Sequence, residues 1–191
     1  FYNGGNAGVQ EGQATTTGYM LFKRFNRSIS KTSPGVASQN RPSIIFRLAD
    51  FYLIYAEVAN EVNPSDSRVL TYLNLVRERA GLPKVEILNP GIVGNKELQR
   101  AAIQRERQIE LATEGQRYFD VRRWMIADKD GEGRQNGYAH GMNVRGTIND
   151  TEEFNRVVET EKIVFNRKMY LQPIPDHEMR KTQNLVQNPG W

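Results

Sequence analysis

Apolar residues between positions 43 and 62 recur with helical spacing. Leu48, Phe51, Tyr52, Tyr55, Ala59 and Val62 form one stripe, and Phe46, Ala49, Leu53 and Ala56 form a second beside it. Arg47, Asp50, Glu57 and Glu61 are left for the remaining face. An apolar surface this wide predicts a helix packed against two neighbours. Asn63 followed by Pro64, or Ser65 just after, can cap a second helix with Val69, Leu73, Val76 and Ala80 on its inner stripe. Gly81 ends it and Pro83 prevents its resumption. Two helices joined so closely form an antiparallel hairpin, close in length to one tetratricopeptide unit. No second copy with matching spacing follows.

Farther along, Pro90, Gly91 and Gly94 predict a loop over 84–94. Asn95 can cap a third helix with Leu98, Ala102, Ile109 and Ala112 inward, and Gly115 marks its stop. A short helix from about Gln116 to Ala127 carries Tyr118, Val121, Trp124 and Met125. Residues 128–150 read as Gly-rich loop, and 151–167 as short strands or a hairpin. The X-Pro steps in Tyr170 to Pro175 favour extended backbone. Asp176 can cap a turn through Met179 and Arg180, and Trp191 is expected to fold back because an indole gains by burial. Residues 1–40 have loop composition, with a short extended piece around Tyr19, Leu21 and Phe25. The expected class is mainly α: helix hairpins, long irregular loops and little β.

Composition narrows this further. At 191 residues the chain fits one domain, or a domain and a half. Hydrophobic residues make up 38% and aromatics 9%, too many for disorder throughout. No run of about 18 apolar residues exists to span a membrane as a helix. The absence of cysteine excludes disulfides, thiolate zinc sites and a cysteine nucleophile in this chain. The net charge is +4, yet Glu97 to Arg123 interleaves six arginines with five carboxylates. A nucleic-acid face needs one-signed charge, so that partner is not expected. The chain opens at Phe1 without an initiator Met, signal peptide or lipidation site, which suggests a piece of a longer protein. Its first hairpin is then expected to expose an apolar face meant for further helices.

Glu106 and Glu110, one helical turn apart, are the carboxylate pair that could serve a glycoside hydrolase, the alternative function class. Arg105, Arg107, Arg117, Arg122 and Arg123 surround them in sequence and favour structural ion pairs instead. Arginine outnumbers lysine 18 to 8. Arg105 falls on the predicted inner stripe, so a partly buried guanidinium is expected there, satisfied by Glu57 or Glu110. His140 and His177 lack ligand-like spacing, so no metal site is expected. No phosphate loop, dinucleotide fingerprint or nucleophile elbow appears, so no cofactor is expected. Exposed aromatics suit sugar stacking. Tyr2 and Asn3 within FYNGGN, and Tyr138 within NGYAHG, are the carbohydrate-binding candidates because loops carry function disproportionately.

Five segments together resemble the carboxyl-terminal part of the SusD/RagB family of outer-membrane nutrient-binding lipoproteins. They are RLADFYLIYAE at 47–57, YLNLVRERAGLP at 72–83, ERQIELATEGQRYFDVRRW at 106–124, YLQPIPDHEM at 170–179 and NLVQNPGW at 184–191. The resemblance covers about residues 41–191, with 1–40 as a separate loop-rich segment. It implies a SusD-like, mainly α fold with tetratricopeptide-like hairpins. It also implies a non-catalytic surface protein that captures an oligosaccharide or other nutrient. Delivery would be to a SusC-type TonB-dependent transporter, at an outer membrane reached through a lipid anchor outside this sequence. The quoted motifs read as scaffold, and no glycan contact transfers onto them.

Overall fold

A computed structural model of the chain describes Thr17, Tyr19, Leu21, Lys23 and residues 43–129, 137–143 and 157–191, with side chains from 161 onward in the last stretch. Two compact units result: one spans Arg41–Trp124 and the other is built on Met125–Trp191.

The first unit is helical. It contains α1 (Leu48–Val62), α2 (Arg68–Arg79), the single-turn α3 (Val85–Leu88), α4 (Lys96–Glu110) and α5 (Gln116–Arg123). Ala49, Leu53 and Ala56 of α1 meet Val69, Leu73 and Val76 of α2 and Ile103 of α4 in one core. Both triplets fall at i, i+4 and i+7, the spacing that keeps three side chains on one helix face. The two expected neighbours of α1 are therefore α2 and α4. Tyr72 stacks near Tyr52 and Tyr55, with ring centroids 5.3 and 4.5 Å apart, and closes one side of the core.

The helices differ from expectation in three ways. First, α1 starts at Leu48, not 43, because Arg47 is extended and its side chain reaches across to Glu110 and Glu114. Second, the buried stripe is that of Ala49, Leu53 and Ala56, while Phe46, expected with them, lies exposed together with Leu48, Phe51, Tyr55 and Val62. Asp50, left by the sequence pattern to the remaining face, is buried as well. Third, α4 buries Gln99, Ile103, Glu106 and Arg107 while Leu98 and Ile109 are exposed, a rotation of one residue from the expected face.

Turn chemistry explains the ends. Asn63 does not cap α2: its side chain accepts from Ser65 N at 3.1 Å, and the helix begins only after Ser67. Gly81, at φ +77, ends α2 through backbone bonds from Gly81 and Leu82 to Glu78 and Arg77. The stretch 84–94, expected as loop, folds into α3 and a 3₁₀ turn at Pro90–Ile92 that buries Ile92. Asn95 does cap α4, accepting from Leu98 N at 3.2 Å. Gly115, at φ +83, precedes α5, which ends at Arg123 instead of continuing to Ala127.

The second unit holds β1 (Gly137–Met142) and β2 (Val157–Ile163), antiparallel, with Tyr138 opposite Lys162. Glycine-rich composition led to a loop reading over β1; the backbone pairs all the same. Met142 N donates to Thr17 O at 2.9 Å. Gly141 permits that approach, since a Cβ there would lie 2.6 Å from Thr17 Cα. A 3₁₀ turn at Arg167–Tyr170 and α6 (Asp176–Met179) follow.

The tail folds back as expected, but Trp191 stays 44% exposed, so hydrogen bonds rather than burial of the indole hold it. Trp191 Nε1 donates to the carbonyls of Lys168 and Leu171, both at 3.0 Å, and the Lys168 ammonium sits 4.3 Å from the indole centroid. Residues 172–175, expected to be extended, belong to neither helix nor strand. Gln187 instead bonds both Ile174 N and Ile174 O, at 2.8 and 2.9 Å, and Asn188 Nδ2 donates to Gln172 O.

Candidate functional site

The densest chemistry lies among the charged side chains of the helical unit. Arg107 is 3% exposed. Its Nε donates to Asp120 Oδ2 and its Nη1 to Asp50 Oδ1, each at 2.8 Å. Arg123 continues the chain, donating from Nε to Asp120 Oδ1 at 3.0 Å and from both terminal nitrogens to Glu57. Glu57 also accepts from Trp124 Nε1 at 2.7 Å, and the Arg123 guanidinium lies 4.7 Å from the Trp124 ring. One lattice thus ties α1, α4 and α5 together through Asp50, Glu57, Arg107 and Asp120.

Two further clusters flank it. Arg77 Nη1 donates to buried Glu106 at 2.9 Å. Arg47 donates to Glu114 at 2.7 Å, to the Glu110 carboxylate at 2.5 Å and to the Glu110 carbonyl at 2.6 Å, and Arg79 reaches the same carboxylate at 2.5 Å. Burying such ions costs several kcal/mol each unless fixed partners replace the lost water, and here several guanidinium nitrogens find one. Burial pulls the pKa of Arg47 down, but its bonds to Glu114 and Glu110 outweigh that and hold it above the ordinary value. Arg123 behaves the same way through Glu57 and Asp120.

This geometry removes the carboxylate pair from consideration as glycosidase machinery. A glycosidase needs two acids flanking a cleft that admits sugar and water. Glu106 is buried against Arg77, and Glu110 is gripped by Arg47 and Arg79. The arginine expected in the interior is also corrected. Arg105 is exposed on α4, and the buried guanidinium is Arg107, two residues on. Glu57, offered as its acceptor, binds Arg123 and Trp124. Sequence reasoning therefore missed Arg107, Asp50 and Asp120. Spacing identifies Arg107 only once Ile103 is known to face inward: Arg107 follows Ile103 by four residues and shares its face, whereas Arg105 lies about 200° around from it.

The second unit carries the described carbohydrate candidate. Tyr138 sits on β1, not in a loop, and is 49% exposed. Lys162 Nζ lies 5.8 Å from its ring centroid, and His140, two residues on along the strand, is exposed too. An open ring beside a donor can stack on a sugar face while the donor bonds a hydroxyl. Tyr2 and Asn3 lie outside the described residues. His177 is in α6 with Nε2 3.0 Å from Glu178, and no metal-ligating cluster occurs among the described residues. Nearby, Tyr170 Oη donates to Asp128 Oδ1 at 2.6 Å. That bond holds the Asp128 carboxyl below its usual range, while burial, then Asp128, push the tyrosine up.

The arrangement can join helices and offer one aromatic platform. Comparison with known proteins agrees with such a scaffold. The chain is 31% identical over 153 residues to SusD-like protein P2 of Formosa agariphila, a match covering 78% of this chain and 26% of that protein. It is 44% identical over 106 residues to SusD-like protein P25 of the same organism, covering 56% and 19%. A crystal structure of a SusD-like protein from Bacteroides fragilis superposes with a TM-score of 0.62 at 31% identity, covering 78% of this chain and 26% of that one. The matches therefore span about a quarter, or less, of these relatives. The SusD family model matches residues 1–191 throughout, and with the lattice of α1, α4 and α5 built from the motif segments themselves, the chain belongs to the SusD family.

Proposed function

We propose that this chain is the helical scaffold portion of a surface nutrient-binding protein. The whole protein captures an oligosaccharide and delivers it to a SusC-type TonB-dependent transporter, as a lipoprotein of the outer membrane. It acts by binding, without covalent chemistry. Family membership is the observation that carries this reading. Full engagement of Glu106 and Glu110 by arginines supports it, because it leaves that pair as architecture. Tyr138 is the contact we assign to carbohydrate within the described residues, with Tyr2 and Asn3 as further contacts.

A glycan array tests this on the chain and on the protein expressed at the length of its relatives. Binding of a defined oligosaccharide class by the longer protein, without hydrolysis of it, is the expected result. Tyr138→Ala should then weaken binding about tenfold, the loss of roughly 1.4 kcal/mol. Release of reducing ends from the bound glycan would overturn the non-catalytic reading. Unchanged affinity in Tyr138→Ala would remove that residue from the site.

A further inference from the structure

Tyr138 and Lys162 stand directly opposite each other in the register of β1 and β2, so their side chains leave the hairpin on one face. The ring is 49% exposed, Lys162 is exposed too, and its ammonium lies over the ring at 5.8 Å from the centroid. Among the described residues that ammonium makes no ion pair, whereas Lys84, Lys96 and Lys181 each meet a glutamate. Glu161 precedes it in sequence, but successive strand residues point to opposite faces. His140 stands opposite an acid, Glu159, in the register, so Lys162 is the cation that sets the charge beside the ring.

That charge changes what the ring can hold. A sugar face in contact with the ring stands about 3.5–4.0 Å from it, and a charge-assisted hydrogen bond adds about 2.7–2.9 Å. An ammonium 5.8 Å from the centroid is within their combined reach. A sugar that covers the ring takes Lys162 off the π-face and partly out of water, and has to offer it an acceptor in return. A hydroxyl offers a neutral one. A carboxylate on the sugar ring offers an anion, whose bond to an ammonium is about twice as strong.

Resting on the reading of Tyr138 as a carbohydrate contact, we propose that the ligand of this face is an acidic oligosaccharide. The residue stacked on Tyr138 is a uronic acid, and its carboxylate bonds the Lys162 ammonium.

Uronate-containing oligosaccharides are printed on an array, each beside its carboxyl-reduced neutral counterpart, and probed with the protein expressed at the length of its relatives. In at least one pair the acidic member should bind about fivefold more tightly, the upper range for an ion pair open to water. Lys162→Gln should abolish that preference, Lys162→Arg should keep it, and added salt should shrink it. Circular dichroism checks that each variant folds, and Lys162→Ala serves if Lys162→Gln does not. Equal affinity within every pair, or binding confined to neutral glycans, would overturn the proposal while leaving the protein a carbohydrate binder. A preference that survives in Lys162→Gln would also overturn it, since the carboxylate would then be held elsewhere. Binding to no glycan at all would overturn the carbohydrate reading, and the acidic ligand with it.

Discussion

The helical unit buries Asp50, Glu106, Arg107 and Asp120, whereas the unit built on Met125–Trp191 buries no charged side chain among its described residues. The difference follows from what each backbone can do for itself. In α1, α2 and α4 the main-chain groups are satisfied within the helix, so side chains remain available to tie one helix to another. Charged residues take that role, and their long arms span helix to helix. In the second unit, 172–175 belongs to neither helix nor strand, so its main-chain groups need partners from side chains. Gln187 and Asn188 supply them, and Trp191 does the same for the carbonyls of Lys168 and Leu171 just before. Helices spend their polar side chains on tertiary ties, and the irregular tail spends them on its own backbone.

Removing one member of the ion lattice should produce the largest effect. Arg107→Met leaves Asp50 and Asp120 buried without their shared cation. The expected loss is about 3–5 kcal/mol, the cost of stranding buried charge. Urea denaturation followed by the helical circular dichroism signal measures it. Restoring neutrality with Asp50→Asn and Asp120→Asn in the same chain should recover part of the loss. A drop below about 0.5 kcal/mol, the level of a surface substitution, would make the lattice ornamental and collapse the contrast between the units.

The tail is the complementary test. Gln187→Leu preserves much of the side-chain volume but deprives Ile174 of both main-chain partners. Leaving a partly buried donor and acceptor unmet should cost about 1–3 kcal/mol, read from urea unfolding followed by the combined fluorescence of Trp124 and Trp191. A negligible change would mean that water replaces the amide and that the tail's backbone is not held as described. Trp191→Phe should cost less, about 1 kcal/mol, because the carbonyls of Lys168 and Leu171 stand near solvent that can take the indole's place.

The same contrast explains what could be read before the structure. That α1, α2 and α4 are helices was legible, because apolar spacing and the signals at Asn95, Gly81 and Gly115 act locally. The inward face of α2 was legible as well, through Val69, Leu73 and Val76, but the faces that α1 and α4 turn inward were not. In α1 both stripes are apolar, and the smaller residues Ala49 and Ala56 occupy the core while Leu48 and Phe51 stay out. In α4 hydrophobicity pointed at Leu98 and Ile109, but the buried face is built from Gln99, Glu106 and Arg107 around Ile103. A charged residue enters a core only with its partner, and those partners lie 13 and 57 residues away. Such pairing is tertiary information. Strand β1 was hidden for another reason: Gly137, Ala139 and Gly141 alternate with Tyr138 and His140, and the strand lacks the β-branched residues that announce extended structure. Tyr138 was thus named as a candidate before its place in the fold was legible.

The finest probe of the comparison is acid. Arg100 grips Glu61 with two bonds, at 2.7 and 2.8 Å, and Lys96 adds a third contact at 3.0 Å. The Arg100 bonds lead in drawing the Glu61 carboxyl down from 4.5 to about 2, against a smaller opposing pull from burial. A depressed carboxylate stabilises the fold where the unfolded chain is also ionised, above pH 4.5, and that contribution fades as pH falls toward 2. Wild type should therefore exceed Glu61→Gln in stability near neutral pH, and the gap should close between those two values. The pair is largely open to water, so the gap is the smallest effect here and should narrow further when salt is added. Urea midpoints for both proteins across that range decide the matter. A gap that ignores pH would mean Glu61 acts by packing, and the outer charges of the helical unit would then differ in kind from the buried lattice around Arg107.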